Sequence, residues 1–427
     1  MSDDKKKKMS QIARIESYLG KLLDFKRNVV TQRVECKAKA GTTFHALNLD
    51  SIYRLLLYAG FKVNLDVVRS LFRSDFVKEY NPFNEYFQKL PKWDGKTDHI
   101  NELAGYIKAV DQEFFNVMLK KTLVRCLACS LDNIPNRMVL VFVSLKQEIG
   151  KSWFIQFLSP FGINYYSEAP LTDNKDTYFR LSENFIINLE ELASLKNTEI
   201  NQLKAIISMA TIKERKPYEV HETIQPRRAN FFGSTNRPEF LLDTENTRWI
   251  CIAITDVDHS YSKEIDIHQV WAQAYHLYKS GFNYGLSKEE KEQRDALNQE
   301  YEVSYPERDM LNAHFVACDK TDNEARFMSI ADIMDSLHLL TALLLRNSDR
   351  MAYNPVRINQ YAIVKALTSL GFKRDRKIRN GKQVRGYYLK LGDGKYRDKI
   401  MSIDDLQEEI TKEKGNRKWW DDYLKGL

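Results

Sequence analysis

Gly150-Lys151-Ser152 closes the stretch SLKQEIGKS, residues 144–152, and fits the second half of the phosphate-binding pattern G-x-x-x-x-G-K-[ST]. There, backbone N–H groups meet phosphate oxygens, a lysine reaches the outer phosphates and a hydroxyl ligates Mg²⁺. Lys151 and Ser152 supply those two groups, and Gln147, Glu148, Ile149, Gly150 and Trp153 complete the candidate ATP loop. The first half departs from the pattern. Leu145 replaces its first glycine and is expected to resist a positive φ, while the Glu148 carboxylate stands beside the expected polyphosphate and repels it. The tripeptide also arises by chance in chains of this length, so its surroundings decide.

Three more polar sets follow. Glu190 and Glu191 end NFIINLEEL, where one acid would hold Mg²⁺ with Ser152 and the other would polarise the attacking water. The bland alternative makes them the first turn of a helix, where anions are welcome. Asn236 ends ANFFGSTN and is placed to hold the attacking water, or else forms a turn before Pro238. Arg248 opens RWICIAI, either as an arginine finger for a neighbouring subunit's nucleotide or as a surface arginine.

These residues need strands to carry them. MVLVFV, residues 138–143, is a short continuous apolar run of the kind buried on both faces, and SWFIQFL after the loop has helical spacing. NFIINL, ANFFGSTN and RWICIAI read as three further strands, with a helix between the first two of them. The centre is therefore an α/β sheet whose strands mostly end in polar or acidic residues. Upstream, residues 1–80 read as mostly helical, with one strand-like run at NVVTQRVECKAK, and NPFNEYFQKLPKWDGKTDHI reads as a connector. Downstream, residues 261–325 read as a helical lid or linker, 326–395 as two helices and a hairpin turning at Asn380-Gly381, and 396–427 as an amphipathic tail.

With 43% hydrophobic and 29% charged residues in 427, and no long apolar run, the chain has a globular composition without a membrane span. The opening MSDDKKKKMS lacks a signal-peptide core, and a cytoplasmic location is expected. Cys126 and Cys129 form a C-x-x-C inside an apolar helical run with no second pair, which favours core packing over zinc or redox chemistry. No structural metal is expected. The net charge of +7 is equalled by Phe372 to Leu391 alone, which holds eight Lys/Arg against one Asp. Lys373, Arg374, Arg376, Lys377, Arg379, Lys382 and Arg385 alternate with Ile378, Val384 and Tyr387, as one charged strand face would, and form a candidate phosphate footprint. The alternative is a solubilising hairpin.

In this order FVSLKQEIGKS, FIINLEEL, LKAIISMATIKERKPY, RRANFFGSTN and LLDTENTRWI resemble the virulence-associated protein E family, over roughly residues 80–260. That family is similar to superfamily 3 helicases and to the helicase half of phage and poxvirus-type primase-helicases. The resemblance implies an AAA+-like P-loop ATPase core (136–260) behind a helical lead-in (81–135), with a winged-helix-like module after it. It implies Lys151 on the β/γ-phosphates, Ser152 and Glu190 on Mg²⁺, Glu190 and Glu191 as the acidic pair, Asn236 as sensor and Arg248 acting in trans. Lys213, Arg215, Arg227 and Arg228 fall where related rings place a second finger or a DNA-contacting hairpin. Leu145, Glu148 and Asn188 depart from residues common in the family.

The expected protein is thus an ATP- and Mg²⁺-dependent ring, expected to be hexameric, that translocates on single-stranded or forked DNA for a phage or mobile element. No paired-carboxylate palm or zinc ribbon is present for a primase, so a separate primase is an expected partner. Two other readings stay open: a nucleotide-binding DNA scaffold with little hydrolysis, favoured by Leu145, Glu148 and Asn188, and a sequence-specific regulator using the C-terminal module.

Overall fold

The computed structural model describes residues 9–172, 174–192, 197–214, 223–237, 239–241, 246–302, 306–346, 360–379, 381–392 and 402–415. Arg215, Pro238, Asn380 and the tail 416–427 lie outside them. Among the described residues no helix is long and apolar enough to cross a membrane. Two units form: Met1–Pro238 with Thr247–Asn298, and Glu239–Asn246 with Gln299–Leu427.

The first unit is built on a six-stranded sheet in the order Ile107–Ala109, Trp249–Val257, Val139–Val143, Asn230–Thr235, Ile186–Leu189, Tyr166–Ser167. Every pair is parallel except the first, where Ile107–Ala109 runs against Trp249–Val257. A parallel strand with neighbours on both sides and helices on both faces has no wet side, so it must be apolar throughout. Val139–Val143 and Ile186–Leu189 are accordingly buried at every residue. Asn188 and Asn230 are the amides admitted inside these strands, at 1% and 0% exposure. Asn230 is satisfied by Asn136 Nδ2 at 3.0 Å and by donating to the Phe185 carbonyl at 3.1 Å.

One face of the sheet rests on the long helix Gln112–Leu131, in which Cys126 and Cys129 are fully buried. Burial pushes both thiols up, so these cysteines pack the core as neutral groups. An aromatic cluster fills another part of the core. Phe83, Phe87, Phe161, Phe185 and Trp271 meet at centroid distances of 4.9–6.1 Å, mostly edge to face. Each such pair is worth roughly 0.5–1.5 kcal/mol beyond its buried area. Trp271 also donates its indole N–H to the Leu158 carbonyl at 3.0 Å, which ties helix Ile267–Lys279 to the end of the helix carrying Lys151.

Three sequence expectations change here. The segment expected as a connector contains helix Pro82–Lys89, because Asn81 caps the N–H groups of Phe83 and Asn84 and Pro82 takes the first turn, where no N–H is needed. Residues 261–298 are not a separate lid, since Val270, Trp271 and Ala274 belong to the central core. The N-terminal region is mixed α/β. It holds a four-stranded sheet, His45–Ala46, Val34–Ala38, Leu23–Asn28 and Lys78–Tyr80, beside helices Gln11–Leu22, Leu49–Tyr58 and Leu65–Arg73. LLDF continues the apolar spacing of the first helix without a breaker, which hides the change to strand at Leu23.

The second unit runs helix Pro306–His314, strands Phe315–Ala317 and Arg326–Ser329, helices Ile330–Arg346 and Gln360–Ser369, then hairpin Arg374–Arg379/Lys382–Leu391 and helix Ile403–Gly415. Lys382–Leu391 pairs with all three other strands, and Tyr387 is buried beneath them. Gly381 has φ 71, the left-handed backbone the tight turn needs.

Candidate functional site

A parallel sheet delivers the residues after each strand to one edge. Ser144 follows Val139–Val143, Glu190 follows Ile186–Leu189, Asn236 follows Asn230–Thr235 and His259 lies just beyond Trp249–Val257. Glu190, Asn236 and His259 border one cleft of about 660 Å³, and the loop that starts at Ser144 brings Lys151 and Ser152 to the same cleft, beside Glu191. That volume lies within the range of small-molecule sites.

The loop 144–150 leads from the central strand into helix Lys151–Phe157. Gly150 is the residue capping that helix, at φ 89. Two constraints demand glycine there: the left-handed backbone, and the His259 ring, which lies where a Cβ would stand. Lys151 is buried at the helix start. Its ammonium donates to Asn236 Oδ1 at 2.5 Å and to the Lys146 carbonyl at 3.2 Å. Burial pulls its pKa down. A buried ammonium held by neutral oxygens is poorly compensated and favours an anion in the cleft.

Leu145 is exposed and does not adopt positive φ, so the strain expected of it is absent. The strain falls on Glu148, at φ 57, whose side chain is exposed. Glu191 also takes the left-handed region, at φ 48. Non-glycine residues held this way cluster at working sites. Beside it, Asn188 donates to Glu190 Oε1 at 3.3 Å. An acid at 188 would repel Glu190, whereas the amide orients it. Ser152 and Glu190, one hydroxyl and one carboxylate in one cleft, are a hard-oxygen pair suited to Mg²⁺ with water and phosphate filling the other positions.

Arg248 is placed apart from these groups. It precedes Trp249, which pairs with Val139 at the start of the central strand, and its carbonyl accepts from Val139 N at 2.8 Å. Five strand residues separate that level from the loop, about 16 Å, so Arg248 lies at the opposite edge of the sheet from its own cleft. Arg227 and Arg228, expected as a finger or DNA contact, are interior. Arg227 is fully buried, donating to the carbonyls of Met209 (2.8 Å), Asn136 (2.7 Å) and Ala229, and Arg228 reaches the Ser182 carbonyl at 3.3 Å. They lie inside the entry to strand Asn230–Thr235, and burial keeps both guanidinium groups from DNA. Lys213 is exposed on an antiparallel hairpin, Thr211–Glu214 with Thr223–Pro226, whose intervening residues, Arg215 among them, lie outside the described set.

In the second unit Arg374–Arg379 is exposed at every position. Its register corrects the expectation of one charged face. Arg374, Arg376 and Arg385 share one face, while Lys377, Arg379 and Lys382 share the other. Arg376 stands directly opposite Arg385, a like-charge pair that costs stability. Arg379 is partly committed, to Asp332 Oδ2 at 2.7 Å and the Phe327 carbonyl at 3.0 Å, and Lys373 pairs with Asp319 at 3.1 Å.

The virulence-associated protein E-like domain model matches residues 87–303, half of the chain. This chain belongs to that family. The match takes in the central sheet and all the cleft residues named above. No curated protein matches this family member. Among solved structures it is similar to the apo C-terminal region of NrS-1, at 12% identity and TM-score 0.47, over 89% of this chain and 99% of that one. A second form of the same region gives 13% identity and TM-score 0.46, over 89% and 99%. His259, like Tyr261 and Ser262 after it, is a cleft residue that sequence reading missed. It sits in DVDHS, which carries no motif, and only the end of a long strand brings it over Gly150.

Proposed function

We propose that this family member is an ATP-dependent, DNA-directed motor ATPase of a phage or mobile element, working as a homo-oligomeric ring. The reading is supported above all by one convergence: Lys151, Ser152, Glu190, Glu191 and Asn236, scattered over 86 residues, line a single cleft at the carboxyl edge of a parallel sheet. Lys151 would neutralise charge on the outer phosphates, releasing Asn236, which is then free to hold the attacking water. Glu191 would orient that water and take its proton as the bond between the γ-phosphorus and the ADP oxygen breaks. Ser152 and Glu190 would hold Mg²⁺, which would offset charge on the phosphates. Arg248, about 16 Å along the strand from its own loop, would act on the nucleotide of a neighbouring copy in the ring.

DNA would be held by the second unit, where a strand, two helices and a basic hairpin follow one another after helix Pro306–His314 and strand Phe315–Ala317, an order that supports a winged-helix reading, and by Lys213 on its hairpin. The like-charge pair Arg376/Arg385 supports this assignment, since a polyanion relieves the repulsion. A second reading, nucleotide binding with little turnover, is favoured by the exposed carboxylate of Glu148 on the loop. The test is ATP turnover with and without single-stranded DNA, beside particle size. Turnover should be stimulated by DNA and vanish in Lys151→Ala. Equal turnover in that variant refutes the motor, and ATP binding by the parent chain without turnover selects the second reading.

A further inference from the structure

Trp153 follows the lysine and hydroxyl of the loop directly, and it is 72% exposed at the rim of the cleft. A large indole left open to water is uncommon, and here it borders the cavity that holds Lys151. Its neighbour on one side is His259, at a centroid distance of 6.3 Å and 75° between planes, an edge-to-face contact. His259 in turn packs on Gly150 and lies 6.4 Å from the Tyr261 ring. The imidazole therefore wedges between the loop glycine and the indole, fixing the ring's orientation and leaving most of its surface free for a planar ligand.

We propose that Trp153 is the stacking platform for the base of the nucleoside triphosphate, with purines favoured over pyrimidines, and that His259 is the positioning residue that holds the platform beside the loop. The inference rests on the nucleotide reading above. The larger ring system of a purine covers more of the indole than a pyrimidine does.

The test compares ATP, CTP and inorganic tripolyphosphate, which keeps the phosphates and lacks the base, by calorimetric titration of the full chain. In the parent chain ATP should bind about tenfold or more tighter than tripolyphosphate, the weight of one base stacked on an aromatic ring. Trp153→Ala should reduce ATP affinity to that of tripolyphosphate, leave tripolyphosphate affinity unchanged and abolish the ATP over CTP preference. Trp153→Phe should restore most of it. His259→Ala should weaken ATP by a smaller factor, with rescue by His259→Phe, and in the parent chain ATP should quench tryptophan fluorescence where tripolyphosphate does not. If ATP and tripolyphosphate lose affinity equally in Trp153→Ala, or if the variant keeps its ATP affinity and instead changes particle size, the indole is a subunit contact and the proposal is overturned. If the parent chain binds neither ligand, the nucleotide reading itself fails. The exposure of Trp153 keeps folding out of the outcome, and the melting temperature of each variant checks that.

Discussion

Glu148 is where the loop can be improved by substitution, and the structure separates its two defects. Its φ of 57 is a left-handed conformation that costs a non-glycine residue roughly 1–2 kcal/mol. Its exposed carboxylate would repel the phosphates of a nucleotide bound as proposed above. At a separation of ~6 Å in water, repulsion from one unit of phosphate charge is about 0.7 kcal/mol, reduced by salt over a Debye length of about 8–10 Å. The two defects report in different assays. Strain present with and without nucleotide alters folding stability and cancels from binding, whereas charge alters binding. Glu148→Gln should therefore tighten ATP by about 2–5-fold, the factor for 0.5–1 kcal/mol, more at low salt and with no change in melting temperature. Glu148→Gly should tighten ATP to the same degree. Its release of strain is offset by about 0.5–1 kcal/mol of glycine chain entropy, so its stability rises by at most ~1.5 kcal/mol. Leu145→Gly should gain nothing in affinity, because Leu145 does not adopt positive φ, and should lose stability by that entropy. Calorimetric ATP titrations at two ionic strengths, run with thermal unfolding, decide it. The reasoning is refuted if Leu145→Gly tightens ATP as much as Glu148→Gly, or if Glu148→Gln has no effect at low salt.

Removing one member of the Arg376/Arg385 pair with Arg376→Thr should raise the melting temperature of the chain while weakening DNA binding uniformly across sequences and lowering the salt slope by about 1; an unchanged slope removes that face of the hairpin from the DNA footprint. Arg227→Ala removes the guanidinium that donates to the carbonyls of Met209, Asn136 and Ala229 and should cost on the order of 3–5 kcal/mol of stability in urea unfolding, with the DNA salt slope untouched in whatever fraction remains folded. Asp94 accepts from the N–H groups of Lys96 and Thr97 and from the Thr97 hydroxyl, which hold its carboxyl down at about 2. A lowered folded pKa gives stability that is complete above about pH 4 and is lost as pH falls toward 2. Asp94→Ala should therefore flatten the pH dependence of the melting temperature in that window, and an unchanged profile would assign the acid sensitivity to other carboxylates.

What the sequence made legible follows from which physics is local. Strand ends are local: a run such as Ile186–Leu189 that is apolar at nearly every position must be buried on both faces, and the polar residues after it must emerge at its carboxyl edge. That logic alone brings Glu190, Glu191 and Asn236 to the edge where Lys151 stands, and the four line one cleft. Burial of cations is not local. RRANFF reads as a basic run entering a strand, yet Arg227 and Arg228 turn inward because carbonyls from Asn136, Ser182 and Met209, remote in sequence, are left without partners there. His259 depends likewise on where a nine-residue strand ends relative to a glycine more than a hundred residues earlier.

The hairpin is a different case, because its correction was available from the sequence. Arg376 and Lys377 are adjacent, and any strand with period two must send adjacent side chains to opposite faces. A single charged face was therefore excluded as soon as the segment was read as a strand. The register adds which cations stand together, Arg376 with Arg385 and Arg379 with Lys382. Under the DNA reading proposed above, cations on both faces of the hairpin suit a wing lying along a groove, where phosphates approach from two sides, better than a flat patch pressed on one strand. If the wing works that way, neutralising Arg374 and Arg385 on one face, or Lys377 and Lys382 on the other, should lower the salt slope by equal amounts, about 2 each. A large loss from one face and none from the other would mean that a single face meets the DNA.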